Sequence, residues 1–160
     1  MMRIDHMATT FAHSRNTLGI RQPLDEHLLQ VAAQAKASAA SFGAAGLAYY
    51  AGLLHDIGKY APEWQHYLAS SEAGLIPRGR GPDHKGAGAC LAEALNLAPA
   101  ALVMMIKGHH GGLPALGDMT GWLRERAADP AVRAAINTAQ ALYPALQAPP
   151  MVPLPERISS

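Results

Sequence analysis

Apolar residues in this chain recur at helical spacing, and each such stretch carries a histidine at its edge. Leu24, Leu28, Val31, Ala32, Ala35 and Ala39 fall on one stripe, with His27 one turn before Val31. Leu47, Tyr50, Ala51 and Leu54 form a second stripe, which His55 continues before Asp56-Ile57-Gly58-Lys59. Leu102, Val103 and Ile106 form a third, between Pro99 and Gly108 and directly ahead of His109-His110. No alternating apolar pattern runs for more than a few residues, and the alanine-rich, aromatic-poor make-up favours helix over strand. An all-α fold follows. Turning these stripes inward must draw the histidines at their edges towards one another.

The remaining elements are read from caps and breakers. Leu24 to about Ser41 forms the first helix, and Phe42-Gly43-Ala44-Ala45-Gly46 breaks it. Gly58 lets the chain turn. Pro62 suits the first turn of a short helix carrying Trp64, Tyr67 and Leu68. From Ser70 to Pro82 the composition shifts to Gly, Pro and Arg, which reads as a mobile loop from which Arg78 and Arg80 project. Asp83 can cap a helix from His84 towards Leu95. Asp129-Pro130 is a cap-plus-first-turn signal for a final helix through Leu142. Prolines at 144, 149, 150, 153 and 155 forbid helix beyond it. Residues 1–143 are expected to form one domain and 144–160 an extended Pro-rich tail. A chain of 160 residues with 49% hydrophobic and 16% charged residues can build one sizeable core.

Several functions are disfavoured at this level. The net charge is +1 with histidines neutral, so no broad basic field is available for nucleic acid. Phosphates would have to be held locally. Cys90 is the single cysteine and sits among Ala89, Leu91 and Ala92, where a buried structural thiol is expected rather than a nucleophile. No apolar stretch approaches membrane-span length, and Met1-Met2-Arg3-Ile4-Asp5-His6 lacks the apolar run of a signal peptide. A cytoplasmic protein without a membrane partner is expected.

The chemistry concentrates at Asp56. A carboxylate can bridge two cations, which an imidazole cannot. His27 and His55 can complete the shell of one ion, and His84, His109 and His110 that of the other. Imidazole with carboxylate suits Mn, Fe, Co, Ni or Zn, while Mg prefers oxygen-rich shells. Two ions about 4 Å apart would clamp a phosphate and activate a water near neutral pH. Lys59, one turn after His55, can offset phosphate charge or charge developing in the transition state, giving it a catalytic role beside Asp56. Each histidine alone has a plain reading as a hydrogen-bonded core residue. His6, His13 and His66 keep weaker claims, His66 because it lies on the Trp64/Tyr67 helix. Their joint placement at helix ends, with Gly-Lys following His-Asp-Ile, is what points to metal.

Leu53-Leu54-His55-Asp56-Ile57-Gly58-Lys59 resembles the signature of the HD superfamily of metal-dependent phosphohydrolases. Ala12-His13-Ser14, Leu24-Asp25-Glu26-His27-Leu28-Leu29-Gln30-Val31-Ala32, Trp64-Gln65, Asp83-His84-Lys85-Gly86-Ala87 and Ile106-Lys107-Gly108-His109-His110-Gly111-Gly112-Leu113 follow in the order seen in the HD nuclease domain of CRISPR type I interference proteins. The resemblance covers roughly residues 11 to 116. It implies an HD-domain helical bundle with a two-metal site that cuts single-stranded DNA. It implies metal-ligand roles for His27, His55, Asp56, His84, His109 and His110, and matches Lys59 to the family's lysine. A CRISPR helicase subunit or interference complex is the implied partner, since no phosphate loop or motor domain accompanies these motifs. Arg78, Arg80 and Lys85 are the expected backbone contacts. The family pattern also supplies a later aspartate in an Ala-Asp context. Asp118 and Asp129 stand in other contexts, and the sequence stops at Arg157-Ile158-Ser159-Ser160. A truncated, catalytically weak HD domain that binds metal or a partner is therefore one alternative. An HD phosphohydrolase acting on nucleotides is the other.

Overall fold

A computed structural model describes residues 9–77, 79, 81–97, 99–112, 117, 119–149 and 152. Among the described residues the protein is helical, with seven α-helices and no strand longer than the isolated bridge between Phe11 and Pro23. The helices are α1 (Leu24–Ala39), α2 (Ala45–Leu54), α3 (Pro62–Glu72), α4 (Lys85–Ala94), α5 (Pro99–Gly108), α6 (Met119–Ala128) and α7 (Pro130–Leu142). A 3-10 turn, Ile57–Tyr60, joins α2 to α3.

The amphipathic reading of α1 holds: Leu24, Leu28 and Ala32 are fully buried and line the face towards α2. The regular α-helix stops at Ala39, short of Ser41. A 3-10 turn over Ala40–Phe42 follows, and Gly43 takes the left-handed conformation at φ 72° that ends it. Helix α2 is buried on more than one face, through Leu47, Ala48, Tyr50, Gly52, Leu53 and Leu54, because α1, α4 and α5 all pack on it. Gly52 makes the α1 contact feasible: a Cβ there would lie 2.7 Å from the Ala32 Cα. Leu102, Val103 and Ile106 of α5 are buried as their spacing predicts.

Three expectations need correction. Helix α3 runs to Glu72, so Ser70 and Ser71 are buried helical residues and not the start of a loop. Their small side chains fit against the packed interior, whereas composition alone suggested a break. Helix α4 begins at Lys85 with His84 at the cap position. Asp83 stands one residue earlier, and its Oδ1 accepts the Lys85 N–H at 3.1 Å. The third concerns the segment after α7. Pro144–Leu146 form a 3-10 turn with Leu146 fully buried, and Val152 packs against the core, so the chain folds back here and does not extend from 144. Proline blocks a helix, but it does not block a single turn carrying an apolar side chain into a core. The Asp129 cap is as expected, accepting the Ala131 N–H at 2.9 Å. No described helix is long and apolar enough to cross a membrane.

Candidate metal centre

Four separate elements deliver the site. His27 comes from the first turn of α1, His55 and Asp56 from the end of α2, His84 from the cap of α4, and His109-His110 from the end of α5. Gly58 makes their convergence possible. A Cβ on it would lie 2.6 Å from the carbonyl carbon of His84, so the turn after Asp56 rests directly on the backbone that presents His84. The glycine therefore serves a close approach between two ligand-bearing segments as well as a turn.

Asp56 sits at the centre, its side chain 3% exposed. Its two oxygens face different partners. Oδ2 lies 3.4 Å from His27 Nε2 and 3.2 Å from His55 Nε2. Oδ1 lies 3.4 Å from His84 Nε2 and 3.5 Å from His109 Nε2. One nitrogen or oxygen from each of Asp56, His84, His109 and His110 lies within 4.8 Å of the others, and the same holds for His27, His55 and Asp56. Of these residues Asp56 is buried, four histidines are partly buried, and His110 is exposed.

The second nitrogen of three rings is already committed. His55 Nδ1 is 2.7 Å from the Gly52 carbonyl oxygen, His109 Nδ1 is 2.6 Å from that of Ile106, and His27 Nδ1 is 3.2 Å from Gln22 Oε1. These partners can only accept, so Nδ1 carries a proton and Nε2 is the nitrogen left to face Asp56. Lone pair facing carboxylate is repulsive unless a proton or a cation stands between them. Asp56 Oδ1, His84 Nε2 and His109 Nε2 are moreover buried without a hydrogen-bond partner. Such atoms cost free energy when left alone, and here they converge on one point. The donor set thus fits divalent metal on both sides of the carboxylate. Burial opposes a charged Asp56, yet the ring nitrogens of His109, His27 and His55 gathered around it hold its carboxyl far below the usual carboxylate range. Burial also pushes the His84 imidazole down to about 4, keeping its ring neutral and free to ligate.

Lys59 is placed differently from the expectation of a group facing a phosphate. It is 3% exposed, with Nζ 2.7 Å from Asp56 Oδ2 and 3.0 Å from the Ala12 carbonyl oxygen. Its charge bears first on the orientation of Asp56. Lys85 lies at the mouth of a cleft next to His84, while Arg78 and Arg80 lie outside the described residues, as does Asp118. His13 is edge-on to His27 with ring centroids 4.9 Å apart. His66 lies on α3, where its Nε2 is 3.4 Å from Ser70 Oγ. Cys90 is buried, its thiol 3.7 Å from the Leu123 carbonyl and pushed up by burial to about 11, which excludes a ready thiolate.

Sequence reasoning missed the groups that orient this centre. Gln22 and the carbonyls of Gly52 and Ile106 fix ring tautomers, a role that ligand partners commonly play. Gln65 ties the segment before α1 to Lys59: it accepts the Phe11 N–H at 3.0 Å and donates to the carbonyls of Phe11 and Lys59. Trp64-Gln65 and Ala12-His13-Ser14 were visible as motif pieces, but a backbone carbonyl has no sequence signature of its own.

Residues 24–139 match the HD domain family, a span that takes in His27, His55, Asp56, His84, His109 and His110. The chain belongs to the HD domain family. HD domains are generally metal-dependent hydrolases, and the two His/Asp groups of this HD domain are consistent with that chemistry. No curated protein matches the chain.

Proposed function

We propose that this HD domain is a metal-dependent nuclease that cuts single-stranded DNA in CRISPR interference, through attack of water on the phosphodiester. The observation that carries the reading is one buried carboxylate whose two oxygens face two separate histidine sets. Divalent cations, when bound, polarise a phosphate and make water a competent nucleophile near neutral pH. Asp56 would bridge the two positions, His27 and His55 would serve one, and His84, His109 and His110 the other. The imidazole-rich set suits Mn, Co, Ni or Fe ahead of Mg. Four side chains converge on one side and three on the other, so the His84 position should hold its ion more tightly. Lys59 holds Asp56 in place and balances its charge. Exposed His110 leaves the four-residue side open to a substrate.

Support for a DNA strand comes from the order of the motifs, which resembles CRISPR interference nucleases, and from flexibility: a single strand can bend a phosphate into a partly buried site. Lys85, with Arg78 and Arg80, would contact the backbone, and a helicase subunit or interference complex would deliver the strand. A test compares cleavage of single-stranded and duplex oligonucleotides with Mn. The parent should prefer the single strand, Asp56→Ala should lose all detectable cutting, and His66→Ala should cut like the parent. Undiminished cutting in excess chelator would sink the metal mechanism.

One observation favours a second reading, hydrolysis of free nucleotides. The cleft beside His84 and His110 holds about 650 Å³, within the range of small-molecule pockets. Release of phosphate from mononucleotides, with strands left uncut, would select it.

A further inference from the structure

Among the partly buried imidazoles of the metal centre, His84 is held differently from the rest. His27, His55 and His109 each have Nδ1 anchored to a protein oxygen. Both ring nitrogens of His84 are buried with no hydrogen-bond partner among the described residues. The χ2 torsion of a histidine is broad, so something else must aim Nε2 at Asp56 Oδ1, 3.4 Å away. Trp64 lies against the ring, with centroids 4.6 Å apart and planes at 58°. We propose that Trp64 is a positioning residue: by packing on the His84 imidazole it sets the direction of Nε2, and with it the affinity of the four-residue side for its ion. The proposal rests on the reading of the cluster as a metal centre and holds whichever phosphoester that centre cuts.

A side chain can orient its neighbour only if it is itself fixed. Trp64 is buried, and the Tyr67 ring packs on it with centroids 5.5 Å apart. Gly81 closes one edge of the indole: a Cβ there would sit 2.7 Å from Trp64 Cζ3. That segment is tied down in turn, because the Tyr67 hydroxyl donates to the Gly79 carbonyl at 2.7 Å and accepts the Gly79 N–H at 3.2 Å. The indole therefore has no room to yield towards Gly81, and the His84 ring meets a wall that stays put.

The same indole is registered to the carboxylate that Nε2 has to meet. Lys59 Nζ stands 5.3 Å from the indole centroid and 2.7 Å from Asp56 Oδ2. Trp64 thus borders both the imidazole and the cation that holds Asp56. The other rings against His84 cannot give such a reference. His109 and His110 lie 5.4 and 5.1 Å from it, but both belong to the same donor set and His110 is exposed. Partners that orient a ligand are commonly hydrogen bonded to it, as at His55 and His109. At His84 aromatic packing takes over that task.

The test is calorimetric titration of the metal-free chain with Co, with His27→Ala used to assign the binding step of the three-residue side. Trp64→Leu removes the ring, Trp64→Phe keeps one, and Gly81→Ala leaves the tryptophan but displaces its Cζ3 edge. Positioning predicts that Trp64→Leu and Gly81→Ala each weaken Co binding at the four-residue side about tenfold or more, with the three-residue side changed less than about twofold. Trp64→Phe should recover most of what Trp64→Leu loses. The visible spectrum of bound Co, which reports ligand geometry, should shift in Trp64→Leu and Gly81→Ala. A lower urea midpoint with unchanged Co affinity and spectrum would make Trp64 a packing residue only and overturn the proposal. Equal weakening at both sides would mean a loosened bundle and overturn it as well. Should Trp64→Leu fail to fold, Gly81→Ala decides alone. If Co does not bind the parent, the metal-centre reading fails and the proposal fails with it.

Discussion

At Gly58 a methyl group would have to enter space already filled by the His84 backbone. Backbone cannot swing aside as a flexible side chain can, so Gly58→Ala should cost about 1–3 kcal/mol of stability, as overpacking commonly does. Urea unfolding of the metal-free protein would measure this. The same substitution should weaken metal binding at the His84 side more than at the His27 side, because only the former loses its register with Asp56. His84 itself sets an acid limit. Burial lowers its imidazole from 6.5 in the unfolded chain to about 4. Between these values the unfolded chain binds more protons than the folded one, so stability rises with pH across the window. The contribution is complete above about 6.5, erodes as the pH falls, and is spent below about 4. His84→Asn should give a shallower pH profile of urea midpoints over that range in metal-free protein. An unchanged slope would mean that another group dominates.

Among the elements, the segment from Thr10 to Pro23 acts as a strap across the site. Its backbone is stitched to the start of α1 by Ala12 N–H to Gln22 O and Leu24 N–H to Thr10 O. Arg21 and Arg15 pair with Glu72 at the end of α3, and Arg21 lies over the Phe11 ring. Gln65 holds Phe11 from the middle of α3, and Ala12 offers Lys59 its carbonyl. The Gln65 bonds reach the strap backbone itself from the middle of α3. Gln65→Ala removes two hydrogen bonds to Phe11, each worth about 1 kcal/mol, and should open the strap without unfolding the bundle. Tryptic cleavage after Arg15 or Arg21 should then speed up roughly tenfold, with the far-ultraviolet circular dichroism unchanged. Cleavage at the parental rate would show that the strap is held elsewhere.

Taken as a whole, the molecule is a helical bundle with α4 and α2 both inside it, the ligands gathering at the end of α2. Helices α1, α4 and α5 pack on α2, and the turn after it rests on α7 and α4. The ligands all sit at helix ends around that turn, so the stability of the bundle and the geometry of the site are linked. Leu146 contributes from beyond the last long helix. It is fully buried, and Gln140 Nε2 donates to its carbonyl at 3.1 Å. Leu146→Ala should cost about 2–5 kcal/mol, the range for deleting a buried leucine side chain. A loss below about 0.5 kcal/mol, typical of surface substitutions, would show that this turn is peripheral.

The sequence by itself determined the helical class, the inward faces of α1 and α5, the Asp129 cap and the presence of histidines at the edges of those faces. These follow from local physics: period 3.6 places Leu24, Leu28 and Ala32 on one face wherever the helix goes, and Asp129-Pro130 starts a helix without help from a distant residue. What only the tertiary structure decided involves separations of many residues. The two oxygens of Asp56 divide the histidines into two sets because α1, α4 and α5 approach α2 from different sides. Lys59 turns inward to Asp56 because the Ala12 carbonyl arrives from another segment to accept from its Nζ. Ser70 and Ser71 are buried and Leu146 returns to the core because packing, which composition does not encode, overrode polarity in one case and proline in the other. Periodicity reports which face of a segment is apolar. Which other segment covers that face is fixed by the contacts of the whole chain.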